Sequence, residues 1–294
     1  MQKVYAVVVT YNRLALLQQV IPALKNQTEQ LHRIIVVNNC SSDGTANWLD
    51  QQHDLKVIHQ GNEGGAGGFY AGVKAALEDG ARWIWMVDDD VLPRNDCLQH
   101  LLACSSFSEC IHPVHFDADN NLQDEERWFD PVNCQIISHF NSSFTNGKKT
   151  WVRNMGSFEG MLISRRVVDL IGMPDKRFFL MHDDLVYGLL AHQHTNVLVT
   201  ADAVMNKLRV RKSPESIYAG LYYQFRNLWL LEEYCDRLAK GFTAYRKRRV
   251  RLQFYYEVYK IIRGKEFPDK RRALKVLYKA YRDYKRKKSG RTIV

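Results

Sequence analysis

Between residues 4 and 90, apolar runs alternate with segments of helical spacing, and each run ends on a polar turn. Val4–Thr10 is apolar and β-branched, as a strand buried on both faces requires. Leu14–Leu24 has helical periodicity, and Arg33–Asn38 is a second buried strand. A short helix is expected over Thr45–Gln52, a third strand over Leu55–His59, and a helix over Gly68–Asp79 with Phe69, Val73, Ala76 and Leu77 on one face. Trp83–Val87 is a fourth strand and runs directly into Asp88-Asp89-Asp90. This alternation predicts an α/β fold, a mostly parallel sheet flanked by helices. Ligands of such sheets lie beyond the carboxyl ends of the strands, where all the polar turns fall.

Residues 114–150 are polar and Asn-rich, which predicts loops and short strands. Helices are expected again over Ser164–Ile171 and Asp183–Ala191, with a strand at Asn196–Thr200 between that part and the tail. From Pro214 the pattern is helical: Ile217–Leu238, Thr243–Arg263, and a third helix opened by Pro268 with Leu274, Leu277, Tyr281 and Tyr284 on one face. The expected organisation is an α/β unit over 1–212 and a basic helical region over 213–294.

Charge divides along the same line. Residues 207–294 hold 26 Lys+Arg against 8 Asp+Glu, a balance of +18 in a chain of net charge +10. A basic tail of this density meets nucleic acid, an anionic membrane surface or an anionic substrate. No stretch is long and apolar enough for a spanning helix, and residues 1–13 lack the pattern of a secretory signal. The six cysteines form no C-x-x-C pair, so buried reduced thiols of a cytosolic protein are expected rather than zinc ligands or a disulfide framework.

Three adjacent carboxylates after a buried strand repel one another, and a hard divalent cation, Mg²⁺ or Mn²⁺, offsets that repulsion directly. A solvated acidic turn is the alternative. Phe178–Asp184 is a second apolar run ending in paired acids; Asp183 and Asp184 suit either a proton acceptor or the acidic first turn of a helix. Thr10-Tyr11-Asn12-Arg13 and Asn38–Thr45 suit nucleotide contacts, or turns capped by Asn12 and by Ser42 or Asp43. The four glycines in 64–68 let backbone approach a ligand, but they do not form the dinucleotide fingerprint. His112 and His115 are weaker metal candidates, since scattered loop histidines are more often structural.

In order, T-Y-N-R, N-N-x-S-x-D-G-T, N-x-G-G-A-G-G, D-D-D and H-D-D resemble the family 2 glycosyltransferases of the GT-A fold over about residues 4–230. Within that family the chain is most similar to bacterial galactofuranosyl- and rhamnosyltransferases, which also carry a Tyr-Tyr-x-x-Arg-Asn motif, here Tyr222–Asn227. The resemblance implies an inverting, metal-dependent transfer. Thr10, Tyr11, Arg13, Asn38 and Asp43 would hold the nucleotide, and Gly67, Gly68, Asp88 and Asp89 would line the donor site. Asp90, with Asp88, would bind the metal. Asp184 would be the general base with Asp183 beside it, and Glu159, Gly160, Trp151 and Tyr223 would face the acceptor. Trp128 is a further candidate for stacking on a sugar.

Two departures from the family pattern stand out: Val186 replaces a Glu, and Asn206 stands where a His metal ligand is expected, with His182 or His194 as substitutes. The donor implied first is UDP-galactofuranose and second dTDP-rhamnose, with a surface glycan or its lipid-linked precursor as acceptor. A nucleotidyltransferase and a degenerate, non-catalytic assembly partner are the alternatives. The clusters at 246–251 and 285–288, interleaved with Tyr255, Tyr256, Tyr259, Ile261 and Ile262, fit a peripheral helix on the anionic inner leaflet. No RNA-binding signature accompanies them.

Overall fold

The computed structural model describes residues 3–123, 127–138, 147–209 and 213–292. The expected Asn-rich loop at 139–146 and the junction at 210–212 lie outside the described residues. One sheet organises the molecule. Its first strands are β1 (Val4–Thr10), β2 (Arg33–Asn38), β3 (Lys56–His59) and β4 (Trp83–Asp88), all mutually parallel in the order β3-β2-β1-β4. The helices between them are α1 (Leu14–Lys25), α2 (Thr45–Leu49) and α3 (Gly64–Glu78). Beyond β4 the sheet becomes mixed. Short β5 (Val91–Pro93) and α4 (Cys97–Ala103) precede β6 (Cys110–Phe116), a hairpin forms from β7 (Arg127–Asp130) and β8 (Gln135–Ser138), and β9 (Thr150–Arg153) leads to β10 (Met161–Ser164). β10 inserts antiparallel between β4 and β6. After α5 (Arg165–Ile171) and α6 (Asp183–His192), the long β11 (Val197–Lys207) pairs parallel with β6 and antiparallel with β9 and β5.

Two apolar layers sandwich the sheet. Val4, Ala6, Val8, Ile34 and Val36 face α1, and Tyr5, Val7, Val9, Ile35 and Val37 face α3, as the two-residue period of a strand dictates. The sequence places the start of α3 at Gly68, but the helix begins at Gly64. Its glycines serve packing: a Cβ on Gly68 would stand 2.4 Å from Val9 Cγ1, and one on Gly72 2.2 Å from Val7 Cγ1. Glycine is what lets α3 lie this close to the sheet.

Four helices follow: α7 (Pro214–Arg226), α8 (Leu228–Leu238), α9 (Thr243–Arg263) and α10 (Lys270–Lys285). α7 and α8 were expected as one helix, yet the chain breaks at Asn227, whose side chain is spent on another segment described below. Asp269, rather than Pro268, caps α10 by accepting from Arg272 N. Tyr218, Tyr222, Leu230, Leu277 and Ala280 form a core that takes in Phe178, Phe179, Leu185 and Val186 from the α/β part. All six cysteines are free thiols, and Cys134 Sγ lies 3.0 Å from Cys235 Sγ.

Candidate active site

The parallel register sets Val9 beside Asp88, so the chain leaving β1 passes over the acidic turn that leaves β4. Arg13 uses that proximity. Its Nη1 donates to Asp89 Oδ1 at 2.7 Å and to Asp90 Oδ2 at 2.9 Å. Arg13, expected at the nucleotide, is therefore a counter-ion of the aspartate run.

Asp88 and Asp90 do not stand alone. Ligand oxygens of Asp88, Asp90 and Glu159 all lie within 4.8 Å of one another. The sequence put Glu159 on the acceptor side, but its carboxylate belongs to this cluster. Gly160 brings it there: at φ +99° it donates its N–H to Met86 O of β4, and a Cβ would meet Met205 and Pro113. Its own carbonyl accepts from Trp85 Nε1, so Gly160 is fixed to β4 by its backbone. His115 Nε2 donates to Glu159 O at 2.7 Å and fixes the same residue. His112 is fully buried, and burial pushes its imidazole well below the usual range; the cluster found among the described residues includes neither histidine.

The position expected of a metal-binding His carries a different group. β5 turns back from Asp90 and pairs with β11, opposing Val91 to Lys207 and joining Leu208 N to Asp90 O at 2.8 Å. Lys207, not Asn206, reaches the cluster, with Nζ 2.6 Å from Glu159 Oε2. Neither substitute His approaches it: His182 Nε2 donates to Gln224 O, and His194 lies past the far end of α6, about 15 Å along the axis from its start.

Burial, then Glu159, Asp90 and Asp89, push Asp88 well above the usual carboxylate range. Burial likewise raises Asp89 and Asp90 against the pull of Arg13. Four carboxylates thus face two cations, Arg13 and Lys207, an excess of two negative charges when all are ionised. An all-oxygen donor set with that residual charge fits a hard divalent ion such as Mg²⁺ or Mn²⁺.

Asp183 and Asp184 open α6, whose positive end favours acids. Burial is the largest influence on both. It lifts Asp184 to about 6, with Glu159 adding to the rise and the Leu185 amide opposing it. Asp183 is raised further, by burial and then by Asp184. Glu159 contributes to the rise of both Asp88 and Asp184. α6 is held tightly: a Cβ on Gly188 would lie 1.9 Å from Gly156 N, and one on Gly156 2.8 Å from Asp184 O. Val186, where the family carries Glu, is 2% exposed in the helical core, a place that would bury a second charge.

Several of the other candidates also carry structural hydrogen bonds or packing. Asp43 caps two helices, accepting from Leu14 N through Oδ2 and from Thr45 N and Oγ1 through Oδ1. Asn12 bridges the loops after β1 and β2 by accepting from Ser42 N, so Asp43 and not Asn12 caps α1. Asn38 meets His59 Nδ1 and accepts from Ser41 N. Thr10 is buried, and Tyr11 remains exposed at the strand ends. Gly67 and Gly68 lie in the first turn of α3, Gly68 against the sheet. Trp151 packs with Val114, Val199 and Val204 and presents no free ring face to a sugar. Tyr223, expected on the acceptor side, is buried instead: its ring stacks on Phe179, and its hydroxyl is engaged with the Thr292 backbone. Trp128 is exposed and stands edge-on to His192.

A mixed sheet with an acidic turn at the end of β4 and paired acids at the head of a later helix matches the architecture of GT-A glycosyltransferases. The pattern of glycosyl transferase family 2 matches residues 5–171, more than half of the chain, and the chain belongs to that family. Galactofuranosyltransferase GlfT1 of Mycolicibacterium smegmatis is 32% identical over 195 residues, covering 62% of this chain and 63% of that protein. The chain thus spans just under two thirds of that relative. The dTDP-rhamnosyl transferase RfbF of Shigella flexneri is 27% identical over 245 residues, 78% of this chain and 79% of that one. Among solved structures, S. aureus TarS 1-349 in complex with UDP superposes with TM-score 0.54 at 14% identity, covering 99% of this chain and 94% of that one. GalNAc-T7 with UDP, GalNAc and Mn²⁺ gives 0.59 at 12%, covering 97% and 56%. These last two speak to the fold alone.

Proposed function

We propose that the chain transfers galactofuranose from UDP-galactofuranose to a hydroxyl of a bacterial surface glycan or its lipid-linked precursor, inverting the anomeric centre. The observation that carries this reading is the Asp88–Asp90–Glu159 cluster, whose ligand oxygens lie within 4.8 Å of one another where β4 ends. A divalent cation held by Asp88, Asp90 and Glu159 would neutralise the diphosphate of the donor. Arg13 keeps Asp89 and Asp90 paired, and Lys207 keeps Glu159 at the cluster. Asp184, ionised at neutral pH, takes the proton of the acceptor hydroxyl. The hydroxyl oxygen bonds to C1 from the opposite face as the C1–O bond to the diphosphate breaks and its electron pair leaves with UDP. Positioning and charge stabilisation lower the barrier. Residues 1–212 would form the catalytic unit.

Rhamnose transfer from dTDP-rhamnose is the second reading, favoured by the longer stretch shared with RfbF. Incubation with a panel of nucleotide sugars and Mn²⁺ separates the two by which nucleotide is released. Silence across the panel, together with no calorimetric binding of UDP or dTDP, overturns both.

The reading extends to a cytoplasmic protein held peripherally at the inner face of the membrane. No helix among the described residues is long and apolar enough to cross a membrane. On α9, Leu252, Tyr255, Tyr256, Tyr259 and Ile262 are exposed along one face, beside exposed Arg248, Arg251 and Arg263. Ile261 is buried, and Arg246 and Arg249 turn inward onto Pro131 O and Asn133 O, so they leave the outward basic face. An aromatic and cationic face of this kind suits anionic lipid. Sedimentation with vesicles supports it when binding requires anionic lipid, and rejects it when neutral vesicles bind equally.

A further inference from the structure

The segment entering the paired acids is strained. Phe179 has φ 66° and ψ −59°, the centre of a γ-turn of the rare hand closed by Leu180 N donating to Phe178 O at 2.9 Å. Met181 at φ 67° and His182 at φ 71° follow, and Asp183 comes next. Three of the eight non-glycine residues with positive φ among the described residues therefore fall within four positions. Such backbone is strained and persists only where its surroundings hold it.

What holds it is the Tyr-Tyr-x-x-Arg-Asn motif. Asn227 Nδ2 donates to Phe178 O, Leu180 O and Met181 O at 3.0, 2.5 and 3.0 Å. Arg226 is fully buried, and its hydrogen bonds among the described residues go to main-chain carbonyls: Phe178 O at 3.1 Å, Lys288 O at 2.8 Å and Gly290 O at 3.0 Å. Its burial is offset by these carbonyls and by the Tyr223 ring, whose centroid lies 4.9 Å from the guanidinium carbon, so the charge is committed to this one site. The carbonyls of Lys288 and Gly290 belong to a strap that leaves α10. Thr292 N donates to Tyr223 Oη, Tyr223 donates back to Thr292 O, both at 2.8 Å, and Gly290 N donates to Arg177 O at 2.6 Å. On the other side, Phe179 O accepts from Ala66 N, and Gly64 has no room there for a side chain.

We propose that Arg226 and Asn227, braced by the strap 288–292, are positioning residues that hold the 178–182 loop and so fix Asp183 and Asp184 at the head of α6. The proposal rests on the transferase reading only for its catalytic consequence. Two variants test it: Asn227→Asp, which keeps the shape but removes the donor, and deletion of residues 289–294, which leaves Asn227 intact. Hydrogen exchange should rise at least tenfold over 178–186 in both and stay unchanged over 4–10 and 83–88. With UDP-galactofuranose as donor, kcat should fall at least tenfold while KM and UDP affinity stay within twofold. Unchanged exchange over 178–186 in a folded variant overturns the clamp. Raised exchange with unaltered kcat, or UDP affinity lost in step with kcat, overturns the positioning role. If Asn227→Asp does not fold, the deletion decides. Absence of turnover by the intact chain counts against the transferase reading, while the exchange data still decide the clamp.

Discussion

Replacing Asp184 by Asn keeps the side chain's outline and removes its capacity to take a proton. Asn can still accept the Leu185 amide, which reaches Asp184 Oδ1 at 2.7 Å, so α6 keeps its start. A positioned general base contributes about 10²–10⁴ in rate, or about 3–5 kcal/mol of barrier. The loss should fall in kcat, with UDP affinity held within about threefold, because the nucleotide is assigned to other residues. The wild-type pH profile supplies a second magnitude. With the carboxyl raised to about 6 by burial and by Glu159, roughly nine tenths of it is ionised at pH 7 and about one tenth at pH 5. The kcat/KM of the intact chain should therefore fall about tenfold per unit below pH 6, and the limb should vanish in the variant. The assay is UDP release across pH 4.5–8.5 alongside calorimetric UDP binding. A variant within tenfold of wild type, or one that keeps the limb near 6, refutes the assignment of Asp184 as base.

Gly188→Ala drives a Cβ onto the Gly156 amide nitrogen and the Met155 carbonyl carbon, neither of which can rotate away. It should cost about 3 kcal/mol or more and lower Tm by roughly 6 °C or more, whereas Gly220→Ala, with Met181 Cε at 3.6 Å as its nearest neighbour, should not. Burial raises the folded-state pKa of Asp183, so its contribution to stability is full below the unfolded value near 4 and is lost as pH rises through the folded one. Asp183→Asn should accordingly gain in Tm relative to wild type between pH 5 and pH 8, and a constant difference would contradict this. Lys207→Met frees Glu159 from its ion pair and leaves the cluster more negative. Mn²⁺ affinity without nucleotide should then rise about fivefold, on the order of 1 kcal/mol, and a weaker affinity by titration would count against the charge balance drawn here.

Local periodicity was enough to read the first half of the sheet. β1 and β2 begin and end at the residues their apolar runs indicate, and α9 spans Thr243–Arg263 as its spacing suggests. What escaped was set by distant partners. α3 starts four residues early because its glycines pack on Val7 and Val9. β5, α4 and β6 draw their identity from β10 and β11, which lie far along the chain. In the site, the aspartate run and the paired acids were legible because clustered carboxylates after apolar runs need an explanation. Glu159 and Lys207 were not legible as an ion pair, since only the reversal of β5 onto β11 brings position 207 to Asp90. Arg13 offered a signal that went unused: it follows the strand that neighbours β4, so the register alone puts a cation beside the aspartates. Tyr223 and Trp151 misled because aromatic residues near a sugar site and aromatic residues in a core look alike in one dimension.

The central claim is that the Asp88–Asp90–Glu159 cluster and its two fixed cations form a metal-dependent seat for a nucleoside diphosphate. Calorimetric titration of UDP into the intact chain, with Mn²⁺ and then with EDTA, tests it most directly. The account predicts binding in Mn²⁺ that weakens at least tenfold in EDTA and in Asp90→Asn. Equal affinity in both buffers, or none in either, would contradict it.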